Sequence, residues 1–307
     1  MKIILCGKNS AAVECLKFLV QSGDEVWTIG TAGDRGLDDW QPSLKTAAAR
    51  LGVRFDQPSN INDPDFVKRL AGYGPSVLVS IQYDQILRQP LFDSIGCPCV
   101  NLHFALLPRH RGLATIAWAI LSGDRETGVT MHHMTEAIDA GDVIAQRAVP
   151  IGPAETARQV YEKVSVATVE LFHAYYPLSR GRLAKCTVQD HAAAVYHRDG
   201  AFDFTHTRVD WNRPAPQLHR WIRALIFPPF QYPDIAVNGS TLSVTAVDGP
   251  VAAGQPARPG IVVSVSRRAL DVAAQGGVIR LIGLMDDQRP GTGFADLVQE
   301  LRPGDRV

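Results

Sequence analysis

Short, wholly apolar runs alternate with amphipathic segments through the first half of the chain. Lys2–Cys6 and Glu25–Ile29 read as buried strands, and Ala11–Gln21 between them as a helix with Val13, Leu16, Leu19 and Val20 on one side. Helical spacing returns in Leu44–Leu51 and Phe66–Leu70, and Val53 opens a short extended piece. Ser76–Ile81 and Cys99–Phe104 are further apolar strands, followed by a helix at Ala114–Leu121, strands at Gly128–Met134 and Val143–Val149, and a long helix at Glu155–Tyr175. Strands that alternate with helices predict right-handed β-α-β units. The expected fold is α/β, a Rossmann-like, mainly parallel sheet with helices on both faces and its binding crevice at the carboxyl ends of the strands.

The pattern then changes. Pro177–Asp199 is mixed and turn-rich and reads as a linker, and beyond it only Ala215–Leu225 is helical. Short β-type runs follow at Ile235–Val237, Leu242–Val247, Gly260–Val265, Ala269–Ala273 and Val278–Leu284, separated by Gly, Pro and Asp. This spacing predicts a smaller β-rich, OB-like domain. The expected division is a catalytic domain over residues 1–190 and a β domain over 200–307.

Composition adds mainly exclusions. No run approaches the roughly 20 apolar residues that span a bilayer, and the start MKIILCGKNS lacks the apolar core and cleavage site of a signal peptide. A cytoplasmic protein is expected. The five cysteines are scattered and odd in number, which argues against a disulfide framework, and Cys97-Pro98-Cys99 is tighter than a zinc knuckle. Thirty-one basic residues balance thirty-one acidic ones, so the chain as a whole lacks the basic excess of a nucleic-acid binder. Gly7–Ala12 reads G-K-N-S-A-A, which is not a dinucleotide fingerprint, and a reductase is disfavoured.

Chemistry concentrates in Cys99–Gly112, C-V-N-L-H-F-A-L-L-P-R-H-R-G. Strand alternation puts Asn101 and His103 on one face and Val100, Leu102 and Phe104 on the other. A second block, Thr127–Asp142, runs from an apolar strand into a loop with Asp139 and Asp142, where Gly141 permits close backbone approach. Taken alone, these polar residues could be satisfied core and turn groups. Nothing near His132 and His133 suggests chemistry, and His103, His132 and His133 lack a recognised metal-ligand spacing.

Together, N-L-H-F-A-L-L-P-R-H-R-G, T-G-V-T-M-H-H-M and I-D-A-G-D-V-I resemble the folate-dependent formyltransferases, over Asn101–Ile144 and in that family's order and approximate spacing. Phe104-Ala105 departs from the small residue and Ser common there. The resemblance implies an enzyme that carries a formyl group from N10-formyltetrahydrofolate to an amine. It implies Asn101 as orienter and oxyanion donor, His103 at the same oxygen or managing the proton, and Asp139 holding His103 and favouring its protonated form. It also implies a pterin-reading loop within Ser80–Pro90, at Gln85, Ile86 and Leu87, closed on the other side by the Ile138–Asp142 loop.

For the acceptor, the tRNA-directed members of this family carry a long basic loop after the second strand. Here Thr31–Ser43 holds Asp34, Asp38 and Asp39 against Arg35 alone. Gly200–Val307 has eleven Arg, no Lys and ten acidic residues. The leading expectation is therefore a nucleotide-linked amino sugar, with initiator methionyl-tRNA or a non-catalytic folate- or nucleotide-binding module as alternatives. The catalytic residues themselves argue against an idle site. Trp221, Ile222 and Phe227–Phe230 are candidates for a homodimer surface or for plain core.

Overall fold

The computed structural model describes residues 1–237, 239–251 and 257–307, without the side chains of Arg180 and Val251. The chain forms two compact units. One comprises Met1–Thr115, Thr127–Val149 and Lys163–Arg198; the other comprises Ile116–Glu126, Pro150–Glu162 and Asp199–Val307.

The strands of the first unit are β1 (Lys2–Gly7), β2 (Glu25–Gly30), β3 (Arg54–Asp56), β4 (Val77–Ile81), β5 (Cys99–His103), β6 (Arg111–Gly112), β7 (Glu126–His133), β8 (Val143–Pro150) and β9 (Tyr196–His197). Seven of them form one sheet in the order β3-β2-β1-β4-β5-β7-β8, and β6 pairs with β9 in a ribbon of its own. β1 pairs in parallel with β2 and β4, and β4 with β5; β5 and β7 are antiparallel. Every residue of β4 is buried, as are five of six in β1 and β2. Continuous apolar runs rather than alternation are what a sheet covered on both faces requires.

The helices are α1 (Asn9–Gln21), α2 (Leu44–Arg50), α3 (Pro64–Tyr73), α4 (Gln89–Ile95), α5 (Thr115–Ser122), α6 (Ala157–Tyr175), α7 (Arg180–Leu183), α8 (Ala215–Leu225) and α9 (Phe294–Val298). α3 shows why these segments stop and start where they do. The Asp63 carboxylate accepts from the Asp65 and Phe66 N–H groups, Pro64 sits in the first turn, and Gly74 closes the helix at φ 67°.

Pro177–Asp199 is not a free linker. Thr187 and Val143 exchange backbone hydrogen bonds of 2.7 and 2.8 Å, and β9 within the segment pairs with β6. Isolated bridges of this kind leave no periodic signature, so in sequence the segment reads as a turn-rich linker.

The second unit carries a five-stranded antiparallel sheet of β10 (Asp234–Val237), β11 (Ser240–Val251), β12 (Val262–Val265), β13 (Leu270–Ala274) and β14 (Gly277–Met285), ordered β10-β11-β14-β13-β12. Register shifts along β11 and β14 bend this sheet. Leu218, Trp221, Ile222 and Leu225 of α8 pack into its core with Val244, Val272, Ile279 and Leu281. Trp221 and Ile222 are therefore core, and Phe230 is the exposed aromatic of the Phe227–Phe230 run. The expected α/β sheet followed by a smaller β-rich domain is the fold observed. No helix among the described residues is long and apolar enough to cross a membrane.

Candidate active site

β5 delivers Asn101 and His103 to one face, while Val100 and Leu102 are sealed in the core. The antiparallel register with β7 then sets His132 directly across from Asn101, a separation at which side chains touch. After β7 the chain turns through a loop whose Asp139 adopts φ 53°. A Cβ on Gly141 would stand 2.0 Å from the His133 carbonyl oxygen, so this loop closes only over glycine.

Asp139 is the hub. Its Oδ2 accepts from the Gly112 N–H at 2.8 Å and lies 3.5 Å from His103 Nδ1. Its Oδ1 lies 3.4 Å from His132 Nε2 and accepts from Asn101 Nδ2 at 3.5 Å. Burial by itself raises this carboxyl, but the neighbouring His103, the contact and charge of His132 and the Gly112 N–H outweigh it and hold the group at about 2. Asp139 is an anion at neutral pH.

His103 Nε2 faces the His110 carbonyl oxygen at 2.8 Å. A carbonyl only accepts, so Nε2 carries a proton, and Nδ1 is the nitrogen that faces Asp139. Burial lowers the pKa of this imidazole, opposed by Asp139 and the His110 carbonyl, and the net direction is down. Asp139 does favour the protonated ring, as expected, but burial works against it. Loss of solvent outweighs the single anion in setting that direction. The same logic orients His132. Its Nδ1 faces the His133 carbonyl at 2.8 Å, and its Nε2 lies 3.3 Å from Asn101 Nδ2 and 3.4 Å from Asp139 Oδ1.

The loops expected to read a pterin are equally specific. The Gln85 carboxamide accepts from the Ile61 N–H at 2.7 Å and donates to the Pro58 carbonyl at 2.9 Å, which pins the backbone around it. Leu87 is buried, whereas Ile86 is 55% exposed and its carbonyl accepts from Asn62 at 2.9 Å. Ile138 is exposed at the opposite loop. The Asp142 carbonyl accepts from the His133 N–H at 3.0 Å, and its carboxylate lies 3.7 Å from the Cys186 thiol.

Residues 31–175 match the formyl transferase family, and residues 204–298 match the formyl transferase C-terminal domain. The methionyl-tRNA formyltransferase of Sorangium cellulosum (strain So ce56) is 34% identical over 97% of this chain and 96% of its own length. The chain belongs to the formyl transferase family. It is a formyl-transferring enzyme. The methionyl-tRNA formyltransferase of Geobacter sulfurreducens is 29% identical over the whole chain and 96% of its own length. An N-formyltransferase from Helicobacter canadensis, solved with folinic acid and dTDP-3-aminofucose, superposes with a TM-score of 0.76 at 21% identity, over 92% of this chain and 99% of that one. The sugar 3N-formyl transferase WlaRD, solved with dTDP and 5-N-formyl-THF, gives 0.74 at 22%, over 94% and 98%. At that identity the structures establish the shared fold.

In this formyltransferase the structure gathers Asn101, His103 and Asp139, and it adds His132, whose position across β5 is invisible to a one-dimensional reading. It also adds His110, Arg111 and Gln189. No group of three or more metal-ligating side chains occurs among the described residues, so His103, His132 and His133 form no metal cluster. His133 instead bonds the Leu183 carbonyl through Nε2 at 2.9 Å.

Gly112 is a sharp test of the site's packing. Its φ is 88°, and a Cβ there would lie 2.1 Å from the His197 carbonyl oxygen. Gly112→Ala is expected to destabilise the fold by on the order of 3 kcal/mol, read as a lower urea midpoint. A midpoint within about 0.5 kcal/mol of the parent, the range of an ordinary surface change, would show that the β6–β9 contact is loose.

Proposed function

We propose that this formyltransferase moves a formyl group from N10-formyltetrahydrofolate to the primary amine of a nucleotide-linked amino sugar. Asn101, His103 and Asp139 carry the transfer, and the loops at Gln85–Leu87 and Ile138–Asp142 hold the donor. The observation that carries the chemistry is the buried His103 with the Asp139 carboxylate 3.5 Å from its Nδ1. An amine attacking a formyl carbon builds negative charge on the formyl oxygen and positive charge on the nitrogen. The Asn101 amide nitrogen, tethered only by contacts of 3.3 and 3.5 Å, is free to redirect toward that oxygen. His103 Nδ1 takes the proton from the attacking amine. Asp139, 3.5 Å away, then pairs with the imidazolium, and the same proton passes to the departing nitrogen of the carrier as the bond to the formyl carbon breaks. The amine attacks directly, so no covalent enzyme intermediate is required.

The electrostatics of the rest of the chain support the acceptor. Acidic groups close the 31–43 loop on itself: Asp34 accepts from Ser43 Oγ at 2.6 Å and from the Lys45 N–H at 2.9 Å. Asp38 accepts from the Ser43 N–H at 2.9 Å and pairs with Arg50 at 3.2 Å. In the second unit Arg208, Arg280 and Arg289 are paired with Asp234, Asp271 and Asp286 at 2.9, 2.8 and 2.7 Å. Arg223 is buried and donates to the Gly152 and Glu155 carbonyls. These arginines are balanced by neighbouring carboxylates or buried, which lowers the net positive field that a run of nucleic-acid phosphates would meet.

A second reading, an initiator-tRNA acceptor, is favoured by the end-to-end alignment with methionyl-tRNA formyltransferases. Release of tetrahydrofolate from the formyl donor, measured with a panel of nucleotide-linked amino sugars and with methionyl-tRNA, separates them. Turnover with one amino sugar alone is the expected result. Turnover with methionyl-tRNA alone overturns the sugar assignment and leaves the formyl-transfer chemistry standing.

A further inference from the structure

We infer that Gln189, clamped by Arg111, is the positioning residue that holds Asp139 in place for catalysis. The inference rests on the reading of Asp139 as the counter-ion of His103. Asp139 lies in the left-handed region, which costs a non-glycine residue on the order of 1 kcal/mol and persists only where its surroundings over-determine it. What over-determines it comes from a segment with no chemical signature in the sequence.

Gln189 is 5% exposed. Its Nε2 donates to the Asp139 carbonyl at 2.9 Å and to the Gly141 carbonyl at 2.6 Å. Its Oε1 accepts from Arg111 Nε at 3.2 Å and Nη2 at 2.7 Å. Both amide hydrogens and both oxygen lone pairs are used, so the carboxamide can sit in one orientation only. The buried Arg111 guanidinium also donates through Nη2 to His191 Nδ1 at 3.0 Å. The next residue, Gly112, holds the Asp139 carboxylate through its N–H. One dipeptide, Arg111-Gly112, thus fastens Asp139 twice: at its carboxylate directly and at its backbone through Gln189. The backbone pairing of Thr187 with Val143 and of β9 with β6 brackets Gln189 on both sides. Loss of the amide would free the loop to relax toward ordinary φ and draw the carboxylate away from His103.

The titration needs neither donor nor acceptor, so it can fail independently of the acceptor assignment. The groups facing His103 are Asp139, the His110 carbonyl and the His110 and His132 imidazoles. Of these, Asp139 is the anion that favours the protonated ring. The His103 midpoint is followed by imidazole NMR in the intact chain for the parent, Asp139→Asn, Gln189→Met and the double variant. The expected result is a downward shift in Gln189→Met of the same sign as in Asp139→Asn, with no further shift in the double variant. In the formyl-transfer assay kcat falls by about 10–10², the cost of a misplaced group. A Gln189→Met midpoint at the parent value, or shifts that simply add, overturns the proposal; so does an Asp139→Asn midpoint that does not move. If Gln189→Met does not fold, Arg111→Lys, which keeps the charge but loses the forked grip on Gln189, carries the same outcomes.

Discussion

Replacing His103 by alanine is expected to lower kcat for formyl transfer by on the order of 10²–10⁴, the range of a lost general base, with the donor KM changed little. The size follows from the geometry. In the proposed mechanism His103 is the base, with Nε2 committed to the His110 carbonyl and Nδ1 paired with the Asp139 carboxylate. Asn101→Ala removes the proposed oxyanion donor and is expected to cost about 10²–10³. Because both groups serve one transition state, the double variant should lose much less than the product of the two. Steady-state kinetics on the three variants decide the matter. A His103→Ala enzyme within about tenfold of the parent, well short of a general base's contribution, would remove His103 from the reaction.

Acid is expected to act on activity and stability in separate windows. His103 has a folded pKa below its ordinary value of 6.5, so the base stays neutral at pH 7 and the rate falls only below that value. In the unfolded chain the same imidazole protonates at its ordinary value. The unfolded state therefore binds the extra proton first, and stability declines as pH drops below about 6.5. Asp139 adds a lower window. Its carboxyl falls from 3.8 to about 2 on folding. The stability this supplies, about 2 kcal/mol at 1.36 kcal/mol per unit, is complete above about pH 4 and is lost between roughly pH 4 and pH 2.

Asp139→Asn should flatten the lower window, move the acid limb of the rate profile to lower pH and reduce the plateau by on the order of 10² through loss of the counter-ion. Urea melts at pH 7, 5 and 3 and a kcat–pH profile test both parts. An Asp139→Asn variant that loses as much stability as the parent between pH 4 and pH 2 would show that this carboxylate is not the group being titrated.

Two positions show why some of the site was legible in sequence and some was not. Asn101 and His103 stand two apart in an apolar strand, and the period of two forces them to the same face whatever the rest of the chain does. His132 also lies in an apolar strand, and its sequence gives no reason to single it out. Its place beside Asn101 depends on β7 entering antiparallel next to β5 in one register, and a slip of one residue would turn it into the opposite face.

The chain's own pattern of apolar runs, turns and short motifs determined the two-part α/β and β-rich architecture, the strand that bears Asn101 and His103, and the glycine-dependent loop that bears Asp139. Those features follow from local periodicity and steric limits, which act over a few residues. The tertiary structure decided what no local rule reaches. It set the direction of the His103 shift, downward, because burial outweighs one nearby anion. It brought His132 against Asn101 and Asp139, because strand register is set by the whole sheet. It gave Gln189 its hold on the Asp139 backbone, because a hydrogen bond between residues 50 apart exists only once the chain has returned on itself.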